Sequence, residues 1–179
     1  MANYAVANST VNGFGSSQAA MTTTYKSICC VAASTQSASG NVSLRRGKLY
    51  DILIGTNGTP ADNYMEFDVV RVTATTSTSA WAGGISSLSS AGALDPADGT
   101  TAGLQAVNSS NEGQVTQIGL DAWYVGINQR ASYRWVAAPG SELVYPAVSS
   151  ATGSNGLDLR ARSGAYTGTT TGTILYSEQ

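Results

Sequence analysis

The chain has 179 residues, of which Ala, Gly, Ser and Thr occupy 88, whereas Leu, Ile, Val and Phe number only 33. A formal net charge of −2, from nine Lys/Arg against eleven Asp/Glu, excludes disorder driven by self-repulsion and a basic footprint for nucleic acid. The absence of His excludes Ser-His-Asp and Cys-His catalysis and the common zinc sites; the length fits one domain, whose thin core gains from burying surface against other copies or a larger assembly.

Met1-Ala2-Asn3-Tyr4-Ala5-Val6 has neither a basic n-region nor an apolar h-region, and no run approaches about 18 apolar residues. The expectation is a chain made in a cytoplasm, without secretory signal or membrane span. Residues 1 to about 24 show no sustained period and little bulk beyond Tyr4, Val6, Val11 and Phe14, as in an arm that is either mobile or ordered by a neighbour. Tyr25 to Val31 is short and β-prone, and a Ser/Ala/Gly linker follows to Asn41. Its two cysteines, Cys29 and Cys30, are adjacent; a bridge between neighbours strains the peptide unit, so both are expected to be reduced.

Val42 to Arg46 and Leu49 to Ile54 are expected strands, with Gly47 as a bulge between them. Gly55 to Asn63 is dense in turn chemistry, since Asn57-Gly58 supplies positive φ and Pro60 fixes its own. Met65, Phe67 and Val69 alternate with Glu66 and Asp68 over a strand from Tyr64 to Thr73, which predicts a hairpin or a longer meander connection across the turn. Residues 75–113 form a long irregular excursion, with Trp81, Ile85, Leu88, Leu94 and Leu104 as isolated anchors. Residues 115–127, 131–137 and 142–148 read as three strands. Leu157, Leu159 and Ala161 alternate with Asp158, Arg160 and Arg162, and a Thr-rich strand covers 169–176. No segment keeps a helical apolar stripe for three turns. Short strands between frequent turns predict an all-β, antiparallel β-sandwich.

Few residues carry chemistry. Asp95 and Asp98 flank Pro96-Ala97 and have the oxygen donors of a calcium site, but Asx closure of a Pro-initiated turn explains them better. Asp51, Glu66, Asp68, Asp121 and Glu142 are candidates for a glycosidase pair; on strands such carboxylates face water or pair with Arg. Arg45-Arg46-Gly47-Lys48 is the one basic cluster, and without interleaved aromatics it suits an acidic partner surface or solvation rather than nucleic acid. Gly13-Phe14-Gly15 precedes no helix and is not a phosphate loop. The densest constellation is Arg130, Tyr133, Arg134 and Trp135, the residue types of interface hot spots, while Tyr133 and Trp135 equally suit a core face.

Several segments resemble a family of small virion proteins of tailed bacteriophages. They are Arg45 to Asp51, Gly55 to Asn63, Ala93 to Asp98, the long and specific Asn128 to Leu143, and Leu175 to Gln179, in the family's order. The resemblance covers residues 42–179, leaves 1–41 outside, and identifies no active-site residue. It implies a non-enzymatic viral structural protein of the phage head, a cement or decoration protein on the capsid.

The expectation is therefore a jelly-roll-like sandwich over 42–179, preceded by an extended low-complexity N-terminal arm, 1–41, with one short strand. It binds the assembled major capsid protein as a trimer on the virion surface, with neither nucleic acid nor membrane as partner. No catalytic, cofactor-binding or metal-ligating residue is assigned; the interface candidates are Arg45, Arg46, Lys48, Arg130, Tyr133, Arg134 and Trp135. The competing expectation is a tail or fibre component that binds a host receptor or glycan, which calls for surface aromatics along a groove.

Overall fold

A computed structural model describes residues 2–8, 19–34, 46–74, 92–98, 103–107, 116–117, 120–145, 154–164 and 166–178. Among them there is no helix. The described strands are β1 (Asn3–Ala7), β2 (Ala19–Ala20), β3 (Lys26–Ser34), β4 (Gly47–Thr59), β5 (Tyr64–Ala74), β6 (Gly92–Ala93) and β7 (Gly103–Val107). They continue as β8 (Thr116–Gln117), β9 (Trp123–Asn128), β10 (Tyr133–Val136), β11 (Leu143–Tyr145), β12 (Ser154–Ser163) and β13 (Thr167–Glu178).

The strands form two open antiparallel sheets around one core, an all-β, sandwich-like architecture. The first sheet runs β10-β4-β13-β1-β6, with β11 in line with β10 along β4 and β2 in line with β1 along β13. The second runs β7-β3-β12-β5, with β9 and β8 one after the other along the far edge of β5. Alternation sets which side chains meet between them. Met65, Phe67 and Val69 of β5, Leu157, Leu159 and Ala161 of β12, and Ile174 and Tyr176 of β13 are all buried in the shared core. Tyr4 stacks on Tyr176, its register partner, at 5.5 Å, and Tyr145 closes on Tyr176 at 6.3 Å.

Two bulges keep this alternation in phase where the sequence breaks it. In β4 the ladder to β13 skips Tyr50, because Asp51 faces Leu175 and Leu49 faces Tyr176. The extra residue lets Leu49, Ile52 and Ile54 all point inward. The bulge thus falls at Tyr50, whereas Gly47, its expected place, pairs regularly with Glu178 and Tyr145. In β3 the ladder to β12 skips Ile28, so Ile28, Cys29 and Val31 share the core. Cys30 stands opposite Asp158 on the other face. Both thiols are free and buried, and burial pushes both well up from the ordinary thiol range.

The connection after β4 is neither the expected hairpin nor a meander within one sheet. β4 continues through Gly55-Thr56-Asn57-Gly58, because Thr167 to Thr171 of β13 supply partners there, and only residues 60–63 turn. β5 then pairs in the opposite sheet, so the connection is an arch between layers. The N-terminal stretch assigned to an arm contributes β1, paired with β13 and β6, and β3, flanked by β12 and β7. Short side chains explain why no period announced β1: Tyr4 and Val6 face the core between small alanines. The described parts of the 75–113 excursion are the edge strands β6 and β7 and the Asp95 turn; Trp81, Ile85 and Leu88 lie outside the described residues, as do Val11, Phe14 and 42–45.

Side chains of the second sheet press directly on the backbone of the first at Gly172 of β13. A Cβ there would stand 2.8 Å from Ile28 and 2.9 Å from Leu159, side chains of the facing sheet. The Gly172 carbonyl accepts the Cys29 Sγ–H at 3.2 Å. Asn8, buried just past β1, accepts the Gly172 N–H at 2.7 Å and donates to the Thr170 carbonyl at 2.9 Å, replacing the strand partner that β1 no longer provides. Tyr4→Ala should cost about 3–5 kcal/mol by opening a cavity against Tyr176, read as a lower urea midpoint at unchanged m-value, and removal of residues 1–8 should abolish cooperative unfolding.

Candidate functional site

The Asn128 to Ala131 turn carries the chain from β9, in the second sheet, to β10, in the first. Its geometry is local: Ala131 N–H donates to the Asn128 carbonyl, and Arg130 N–H to Asn128 Oδ1, each at 2.9 Å. Gln129 is fully buried and ties this crossover to the one between β4 and β5. Its backbone N–H donates to the Asn63 carbonyl, and its own carbonyl accepts Thr56 Oγ1–H at 2.6 Å. Its side chain accepts the Ala61 N–H at 3.0 Å and donates to Ser163 Oγ at 2.7 Å. A buried amide with such partners fixes a corner in one geometry. Sequence reasoning passed over Gln129 because a lone polar residue in a turn carries no periodic signal.

β10 then distributes the expected hot-spot residues by strand parity. Tyr133 and Trp135 stand opposite Ile54 and Ile52, on the core side of the edge, and both meet Trp123 of β9 at 6.2 and 6.3 Å. Trp135 packs against the core, while Tyr133 stays partly exposed. Arg134 points to the outer face and grips the Asp51 carboxylate through Nε (3.0 Å) and Nη2 (2.5 Å). Arg130 projects from the turn, with Nε 3.5 Å from Asp62 and both groups largely exposed. Lys48 stands opposite Ser177 and Val144 on the outer face, and Arg46 is exposed just before β4. Arg45 lies outside the described residues. The structure thus lines these residues along the β4–β10–β11 edge and splits them over two faces.

The outer face of the first sheet is apolar around the Asp51–Arg134 pair. Leu53 and Val136 are 48% and 58% exposed. Leu53, Thr173 and Leu175 frame a depression with the Asp51–Arg134 pair; Val136 stands beside it, opposite Asp51, and Ala5 and Ala7 of β1 are the register partners of Leu175 and Thr173.

The outer face of the second sheet is polar. Arg160 of β12 binds Asp68 of β5 through two bonds, Nε at 2.9 Å and Nη2 at 2.5 Å, and both side chains are buried. Ser27 Oγ donates to Asp158 at 2.5 Å on the same face. One pair outward, Arg162 binds Glu66, which also accepts the Tyr25 hydroxyl at 3.0 Å. Both guanidiniums lie 4.6 Å from the Tyr25 ring centre. The Arg162 hydrogen bond holds the Glu66 carboxyl below its ordinary range, against the opposing effect of burial. Burial, then the Asp68 charge, pushes the Tyr25 phenol up. Tyr64 and Tyr124 share a hydroxyl–hydroxyl hydrogen bond, the main reason Tyr124 is pushed up to about 12.

Three candidate carboxylates, Asp51, Glu66 and Asp68, are thus engaged by arginines, and Glu142 accepts the Gly140 N–H at 3.1 Å. Asp95 closes its turn, accepting the Ala97 N–H on Oδ1 and the Asp98 N–H on its carbonyl, while Asp98 accepts the Asn3 N–H at 3.3 Å. Among the described residues no three His, Cys, Asp or Glu side chains gather as a metal site.

Arg160→Met leaves Asp68 charged and buried and should cost about 3–5 kcal/mol, with Asp68→Asn in the same chain restoring part of it; equal stability of the single and double variants in urea would contradict this. Glu66 is lowered in the folded state, so its contribution is complete above the ordinary carboxylate range and is lost as pH falls through the lowered value. Glu66→Gln should therefore melt below the parent chain at pH 7, with the difference closing in acid.

Comparison with known protein families finds no family model that matches the chain, and no curated protein matches it.

Proposed function

We propose that the chain is a non-enzymatic structural protein of a tailed-phage head, a decoration protein that docks on the assembled major-capsid lattice through the outer face of its first sheet. The observation that carries this reading is the exposed Leu53 and Val136, with half-buried Leu175, around the bidentate Asp51–Arg134 pair. An apolar centre with an oriented arginine is the anatomy of an interface core. The order of the motifs that resemble phage virion proteins supplies the partner.

In this proposal the sandwich is jelly-roll-like and sits as a trimer on the capsid surface, where major-capsid subunits meet. β1 and β3 tie the described N-terminal residues into the sheets, so the lattice contact is assigned to the first sheet rather than to a free arm. Binding only the assembled shell stabilises that state by mass action, and repeated shallow contacts add through the lattice symmetry.

Mass spectrometry of purified virions should find hundreds of copies per particle, as a lattice position requires; a dozen or fewer would place the chain in a tail or fibre instead. Leu53→Glu combined with Val136→Glu should leave the fold intact, because both side chains are exposed, and lower occupancy on particles at least about tenfold.

A further inference from the structure

We infer that the cleft between β5 and β12, on the outer face of the second sheet and beside the Tyr64–Tyr124 pair, binds a neutral carbohydrate. Tyr64 and Tyr124 remain 55% and 49% exposed on this face, although large apolar side chains are scarce in the chain and, among the described residues, the core takes most of them. They stand on neighbouring strands, joined at their hydroxyls. Gly126 of β9 makes the arrangement possible, since a Cβ there would occupy the space of the Tyr64 ring. The ring therefore lies down across β9 with its other side open to solvent. Two half-exposed tyrosines held in this way form a rigid platform with little rotamer entropy left to lose on binding.

Beside the platform the cleft is lined by Thr23, Glu66, Arg162, Ser163 and Gly164. Glu66 and Arg162 offer acceptor and donor side by side, and their charges cancel. Tyr25 orients both, by its hydrogen bond to Glu66 and by its ring against Arg162, so neither has to be ordered by the ligand. An aromatic face next to fixed, charge-balanced hydrogen-bonding groups matches a pyranose, which has one face of C–H bonds and a rim of hydroxyls. An anion meets the Glu66 carboxylate, and a wholly apolar ligand leaves both charged groups desolvated and unanswered. The cleft is open to solvent, which suits one residue of a longer glycan chain. It lies on the opposite side of the sandwich from the face assigned to the capsid lattice, and the inference stands independently of that assignment.

The test is saturation-transfer NMR on the full chain with neutral malto-, cello-, laminari-, manno- and galacto-oligosaccharides, and sialyllactose and a heparin oligosaccharide as anionic arms. Transfer to ring C–H protons of at least one neutral sugar is expected, with none to the anions. Tyr64→Ala, Tyr124→Ala and Gly126→Ala should each weaken that binding tenfold or more, while Tyr124→Phe, which keeps the ring, weakens it less. Thermal melts confirm that the variants fold. No transfer to any neutral sugar, preference for an anionic arm, or unchanged affinity in the folded alanine variants would overturn the inference.

Discussion

The first sheet depends on β13. Its ladder to β4 runs unbroken in direction from Thr167 opposite Thr59 to Glu178 opposite Gly47, and its other edge carries β1 and β2. The same strand sets the distance between layers, because Gly172 admits Ile28 and Leu159 of the facing sheet. A chain with so few large apolar side chains gains cohesion by bringing its two backbones close, where each contact is made at full packing density. The Thr-rich sequence of β13 suits this position: branched side chains favour the extended backbone while Ile174 and Tyr176 supply the inward bulk.

Much of this was legible in the residues. The alternations at Met65–Val69, Leu157–Ala161 and Ile174–Tyr176 give both the strands and their inner faces. At the β4–β5 connection Asn57-Gly58 is a strong local turn signal, with Gly58 indeed at a φ of 119°. Pairing with β13 overrides that signal and keeps these residues extended. β1 carries the opposite problem, too weak a local signal: its five residues have only two bulky side chains, and the reason they form a strand is the edge of β13, far away in sequence. The bulges at Tyr50 and Ile28 likewise belong to the pairing rather than to either strand alone.

The site divides in the same way. The run from Asn128 to Val136 could be marked as dense in Arg and aromatics, and strand parity then sorts its side chains into inward Tyr133 and Trp135 and outward Arg134. Trp123, which completes the aromatic edge, lies on the opposite sheet. Glu66 was seen as one carboxylate among several, but its partners Tyr25 and Arg162 are 41 and 96 positions away and come together only through the order β3-β12-β5. Local sequence carries types and parity; which strands are neighbours decides what those types do.

The antiparallel pairing of β1 with β13 joins the first and last strands in chain order, Asn3 opposite Ser177. During synthesis β1 and β4 emerge long before the strand that lies between them, so both wait with unpaired edges. Such separations in sequence slow folding, and waiting edges invite association with other chains. The abundance of Ser, Thr, Gly and Ala then has a kinetic meaning: it leaves the nascent chain with few sticky surfaces during the interval before β13 arrives. A composition that makes the finished core thin also keeps the unfinished molecule soluble.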